Sequence, residues 1–263
     1  MFKLPLSISK RQKFVISAFL LSAGLLVIQI SNVPWRYQAI GALTILTFVL
    51  SAWALSEGLN GIEWLTVLIL PTLFTAGVGL FYFLIPSGWI TRIPVIISYS
   101  LGLYALLLTE NIFSVAAIRT IQLLRSAQAV GFLLTLATSF FLYDTIFSFK
   151  QDALLNFLFV ALVTFPLALQ GLWSIKLDEK IPKKIWLYSV SLTLCLAEMA
   201  LVFSFWPVSV AVGSLALTTV LYLMLGLSQH DLNERLFQKT VNEYIGVGIS
   251  VLLIILLTTH WRG

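Results

Sequence analysis

An all-α polytopic bundle of transmembrane helices is the fold class this sequence predicts, and three observations predict it. The 263 residues are 59% hydrophobic and 10% charged, where a typical soluble domain is roughly 25% charged. Mean hydropathy is +0.99. The apolar stretches are long and continuous, close to the ~20 residues a helix needs to cross a hydrocarbon core. They do not alternate apolar with polar, which excludes a membrane β-barrel. A soluble fold of this size would need far more polar residues for its exterior. An ordinary cytoplasmic enzyme, a disulfide-stapled secreted module and a disordered chain are therefore excluded.

Nine spans are expected, at roughly 14–31, 37–55, 63–85, 90–109, 127–148, 152–174, 183–205, 207–228 and 243–260, with eight as the rival count. The first follows a basic N-terminus and has the look of a signal peptide. Its apolar stretch, Phe14–Ile30, is too long for that and no small-x-small cleavage site follows, so it is read as a retained span. The second starts at an interfacial tryptophan, Trp35. The third carries Pro71, Gly77 and Gly79, which makes it the most flexible of the set. The fourth starts after Trp89. Residues 110–126 form an amphipathic helix lying in the cytoplasmic interface. The fifth holds Asp144 near its outer end, and the sixth is interrupted by Pro166. Only Trp206-Pro207 separates the seventh from the eighth; the pair reads as a belt tryptophan and a helix-starting proline. The ninth follows the polar connector QHDLNER. No connection exceeds about 18 residues, so residues 1–263 form one transmembrane domain with no soluble domain.

Basic residues orient the bundle. With the N-terminus in the cytoplasm, twelve of the 16 Lys and Arg fall on inside segments: Lys3, Lys10, Arg11, Lys13, Arg119, Arg125, Lys176, Lys180, Lys183, Lys184, Arg235 and Lys239. Arg36, Arg92, Lys150 and Arg262 fall outside. This asymmetry favours nine spans, N-terminus in and C-terminus out. It also explains the net charge of +5 through an anionic leaflet, with no need of nucleic acid. Cys195, the single cysteine, excludes an internal disulfide and a cysteine-based metal site.

The segment ENIFSVAAIRTIQLLRSAQ at 110–128 gathers Ile112, Phe113, Ala116, Ala117, Leu123, Leu124 and Ala127 on one side. Glu110, Asn111, Ser114, Arg119, Gln122, Arg125 and Gln128 gather on the other. Arg119 and Arg125 are the expected contacts to anionic lipids at the cytoplasmic face. The longer run NIFSVAAIRTIQLLRSAQAVGFLLTL, at 111–136, resembles an uncharacterised family of bacterial polytopic membrane proteins, a domain of unknown function. The resemblance implies a bacterial inner-membrane protein and assigns no catalytic residue.

Carboxylates inside the spans are the residues that ask for a reason. Glu198, in SLTLCLAEMALVF, lies about five residues beyond the middle of its span; a charge there costs roughly 2.5–3.5 kcal/mol on insertion scales. Tyr188, Ser191 and Cys195 share its helical side, and this mildly polar stripe is expected to face the bundle interior. Glu198 and Asp144, with Tyr188 and Ser191, are the candidate proton or substrate site. The structural alternative is a neutral glutamate that bonds a neighbouring helix as packing glue. Tyr143-Asp144 matches half of an intramembrane aspartyl protease signature, but Gly246 and Gly248 supply no second aspartate, so that chemistry is rejected. His230 and His260 lie away from working depth, and His230, Asp231 and Glu234 read as a solvated connector, so no metal and no cofactor is expected. Two functions remain, a small-solute or proton-linked transporter centred on Glu198 and a non-enzymatic scaffold or assembly factor for partner membrane proteins. Homo-oligomerisation fits either.

Overall fold

The structure, a computed structural model, describes residues 9–31, 35–86, 88–117 and 122–259. Among these the chain forms nine α-helices and no strand: α1 (Lys10–Ile30), α2 (Arg36–Leu55), α3 (Glu63–Tyr82), α4 (Trp89–Ala116), α5 (Leu124–Ser148), α6 (Ala153–Lys176), α7 (Lys183–Phe205), α8 (Val210–Leu232) and α9 (Gln238–Thr258). All nine are long and apolar enough to cross a membrane. The protein is a multi-pass, all-α membrane protein.

Local chemistry sets the helix ends. A capping box opens α1: Ser9 Oγ accepts from the Gln12 N–H at 3.4 Å, and Gln12 Oε1 accepts from the Ser9 N–H at 2.9 Å. Ser209 caps α8 in the same manner, accepting from the Val212 N–H just after Pro207. α6 stops at Leu177, which takes a left-handed conformation with φ of 55°. α4 differs most from expectation. It runs 28 residues, so residues 110–116 are its last two turns and not the start of an interfacial helix over 110–126. The cause is an uninterrupted inward stripe of Tyr99, Leu103, Leu106, Glu110 and Phe113, which keeps burying one face past residue 109.

The helices alternate in direction, and contacts at the two rims follow. At the face where α1 starts (the N-terminal face), Lys13 donates to Glu57 Oε1 at 2.7 Å and Lys184 pairs with Asp231 at 2.6 Å. At the opposite face, the Arg92 Nε donates to the Tyr82 hydroxyl at 3.1 Å, and the Arg36 guanidinium lies over the Tyr37 and Phe83 rings. Between the rims the core has two halves, joined by a third cluster around Phe14, Leu68, Phe113 and Trp173. α1–α4 pack around Leu21, Leu25, Phe74 and Leu103; α5–α8 pack around Leu172, Leu196, Leu217 and Leu221. A hydrogen-bonded chain of Thr47, Thr75 and Tyr99 hydroxyls, at 3.1 and 2.9 Å, ties α2, α3 and α4 together at mid-depth.

α9 stands apart. Ile255 is its one buried residue, and it packs chiefly on α8. There Tyr244 fills the notch at Gly226 and Leu223 fills the notch at Gly248. At the far end the Trp206 indole N–H donates to Thr259 at 2.9 Å.

Two tests follow from the packing. A methyl carbon on Gly102 would come within 2.7 Å of Phe74 Cζ, whose ring is stacked on Tyr99 and nearly buried. Gly102→Val is therefore expected to destabilise the α3–α4 contact by about 1–3 kcal/mol, read as a lowered melting temperature in detergent. The Lys13 hydrogen bond and charge, with Lys10 adding, hold the Glu57 carboxyl below its ordinary value of 4.5. A carboxyl lowered on folding contributes stability that is complete above the unfolded value and lost as pH falls through the folded one. Melting measured between about pH 6 and pH 3 should therefore fall less steeply in Glu57→Gln than in the wild type.

Candidate functional site

Hydrocarbon offers no partner to a polar group, so polar side chains inside the spans are placed by what answers them. Glu110 lies on the inward stripe of α4, about 9 Å, at 1.5 Å per residue, from its N-terminal-face end. It is 0% exposed. Its Oε1 accepts from Gln170 Nε2 of α6 at 2.8 Å, and its Oε2 has no hydrogen-bond partner among the described residues. Gln170 is 1% exposed. α3 and α5 each pack on both α4 and α6, so this pair bridges the gap they leave at the centre of the bundle.

A polar layer extends from Glu110 toward the N-terminal face. One turn on, Ser114 Oγ lies 2.6 Å from the Gly58 carbonyl and 3.2 Å from Glu63 Oε2. Glu63 also accepts from the Asn60 N–H, in the turn before α3, at 3.2 Å. The last turns of α6 expose carbonyls with no partner inside the helix. Gln128 of α5 donates to the Ser174 carbonyl at 3.0 Å, and Gln229 of α8 donates to that of Gly171 at 2.9 Å. α4, α5, α6 and α8 are thus joined by side-chain amides at one level.

The residues singled out from the sequence do not form one site. Glu198 is exposed on the outer side of α7, roughly 10 Å from its far end at 1.5 Å per residue. It makes no hydrogen bond or ion pair with a described residue. The expectation that its stripe faces inward is corrected: the buried side of α7 is Ile185, Ser189, Leu192, Leu196, Ala197, Ala200 and Phe203. Small residues there let α6 approach closely, and they turn Ser191 and Glu198 outward. Tyr188 belongs to the rim. Its hydroxyl donates to Asp231 Oδ2 at 2.7 Å, the oxygen that also binds Lys184. Asp144 is buried on α5 and faces the Ser214 hydroxyl of α8. Arg125 is exposed at the start of α5; Arg119 lies outside the described residues. His230 stands edge-on to Tyr244 at 5.9 Å, and Asp231 is turned to Lys184.

Sequence reasoning passed over Glu110 because a 20-residue span ending at 109 left it on the polar side of the expected interfacial helix over 110–126. The signal was present in the spacing of Tyr99, Leu103, Leu106, Glu110 and Phe113. Two hollows complete the picture. One of about 280 Å³ opens at the far rim beside Lys150, Asn156, Ser204 and Ser209, and one of about 370 Å³ lies between α7, α8 and α9 with an almost wholly apolar lining.

The profile of the family described as "protein of unknown function (DUF5656)" matches residues 24–258. The chain belongs to this family. The match takes in eight of the nine helices entirely and the last turns of α1. No curated protein and no solved structure matches the chain.

The Glu110–Gln170 pair makes a test in itself. Removing one partner strands the other's polar atoms in a dry interior, at a cost of about 1–3 kcal/mol, while replacing both with apolar residues is far less costly. Gln170→Leu and Glu110→Leu should each destabilise by that amount and the double variant by less than their sum, as a double-mutant cycle of detergent melting will show.

Proposed function

We propose that this protein is a non-enzymatic membrane scaffold that assembles with partner membrane proteins through the outer face of α7. One observation carries the reading: Glu198, at working depth in the membrane, points away from its own bundle. A carboxyl facing lipid is costly and mobile helices avoid it, so its retention on an outer face is accounted for by a neighbouring helix that hydrogen-bonds it. The apolar hollow between α7, α8 and α9, and the slight attachment of α9, are in keeping with an assembly surface on this side. The excess of basic residues on one side supports a cytoplasmic N-terminus and an outside C-terminus, and the resemblance of residues 111–136 supports a bacterial inner membrane. Arg119 and Arg125 then meet anionic lipids at the cytoplasmic face.

A proton-linked transporter is the second reading, and Glu110 is what favours it. A central carboxyl with one oxygen unpartnered, about 9 Å from the cytoplasmic rim by helix rise, suits a group that takes up and releases a proton.

The two readings part in one experiment. Wild type, Glu198→Ala and Glu110→Gln are solubilised in mild detergent and run on native gels, then reconstituted in proteoliposomes under a pH gradient. The scaffold predicts a wild-type complex larger than the monomer, smaller in Glu198→Ala, and no proton flux in any of the three. Flux that Glu110→Gln abolishes, with monomeric wild type, would overturn it in favour of transport.

A further inference from the structure

The outer face of α7 has a regularity that its polar residues alone do not disclose. Its exposed side carries Leu187, Ser191, Leu194, Glu198, Leu201 and Phe205, spaced four, three, four, three and four residues apart. This is the spacing of the seam positions in a two-stranded coiled coil, with leucine at each d position and Ser191, Glu198 and Phe205 at a. None of the six is used inside the bundle: Leu187 is 64% exposed, Leu194 49% and Phe205 76%. α6 and α8 pack against the other sides of the helix and leave this strip open along its whole length.

We propose that α7 is the seam of a parallel two-fold dimer of this chain, in which Glu198 is hydrogen-bonded to Glu198 of the second copy. The inference rests on the reading that the outer face of α7 binds a partner, and it names that partner. Two copies inserted with the same topology are related by a two-fold axis along the membrane normal, so their α7 helices run parallel. Each seam residue then meets its own counterpart, as an isologous interface requires. That arrangement answers Glu198 without a cation. Two carboxylic acids face to face each donate an O–H to the other's carbonyl oxygen, and Ser191 hydroxyls pair in the same way two turns along. Leucines pack between the polar layers, and a polar residue at one a position fixes register and strand number. A different membrane protein would need a matching strip with a donor at the same depth; a second copy supplies both by symmetry.

The full-length protein in phosphatidylcholine–phosphatidylglycerol vesicles is the test. In a Cys195→Ser background, single cysteines replace Leu187, Leu194 and Leu201 on the seam and Trp186 off it, and the vesicles are oxidised. Each variant is first shown to melt near the parent temperature. Disulfide-linked dimers are expected at the three seam positions at least tenfold above Trp186→Cys. Adding Glu198→Ala to Leu194→Cys should lower the yield about tenfold, whereas Glu198→Gln, which can still bond its twin, should retain it. Seam yields no higher than the Trp186→Cys control would overturn the dimer, and an unchanged yield in Glu198→Ala would overturn the carboxyl pairing. A native-gel complex that depends on Glu198 but gives no seam disulfide would leave the scaffold reading standing with a different partner; loss of both would end both.

Discussion

The absence of hydrogen-bonding solvent around this chain decides its architecture. Every backbone amide must be satisfied within its own segment, so each crossing is a helix. Side chains obey the same demand at short range. Ser22 and Thr72 return their hydroxyl protons to carbonyls four residues back, each at 2.7 Å. Where the demand arises between helices it becomes cohesion. The Thr47–Thr75–Tyr99 chain and the Tyr143–Thr164 pair at 2.7 Å hold neighbouring helices at depths where burying apolar surface brings little, because lipid is as apolar as leucine. The glutamines on α5 and α8 do this for the end of α6, whose carbonyls would otherwise face hydrocarbon.

That constraint separates Glu110 and Glu198 more sharply than their sequence neighbourhoods do. Glu110 is met by Gln170 and sits where four helices converge, so its burial is part of how the two halves of the core are joined. Glu198 is met by no hydrogen bond or ion pair among the described residues. The same physics that explains Glu110 from within the bundle asks for an answer to Glu198 from outside it, and this asymmetry moves the weight of the functional argument from the centre of the bundle to its surface.

Fold class was legible because it depends on composition and run length, which read directly from residues. The facing of each helix was not, and the reason is physical. In water, apolar residues mark the inside; in a membrane both the inside and the outside are apolar, and hydrophobic periodicity loses its sign. On α7 the inward side is marked by size, through Ser189, Ala197 and Ala200, while the polar stripe of Ser191 and Glu198 points out. Reading polarity as inwardness put Glu198 on the wrong side. On α4 the error lay in length. A span cut at about 20 residues left Glu110 in the expected interfacial helix, although the heptad-like stripe from Tyr99 to Phe113 runs straight through it. Nor does spacing along one helix reveal a partner on another: Gln170 lies 60 residues on, and Tyr188 finds Asp231 43 residues on.

The distribution of strong contacts also bears on where the assembly can yield. Ion pairs and cation–aromatic contacts sit at the rims, on α1, α2, α4, α7 and α8, and lock helix ends where water lets charges exist. Among the described residues α9 makes none of these. It is held by Tyr244 and Leu223 in two glycine notches, by the stacking of Tyr244 on Tyr222 of α8 and by the Trp206–Thr259 hydrogen bond at its far end. A helix so lightly held, beside an apolar hollow and next to the helix that bears the unanswered carboxyl, places the adaptable part of the molecule on the side where an assembly contact is needed.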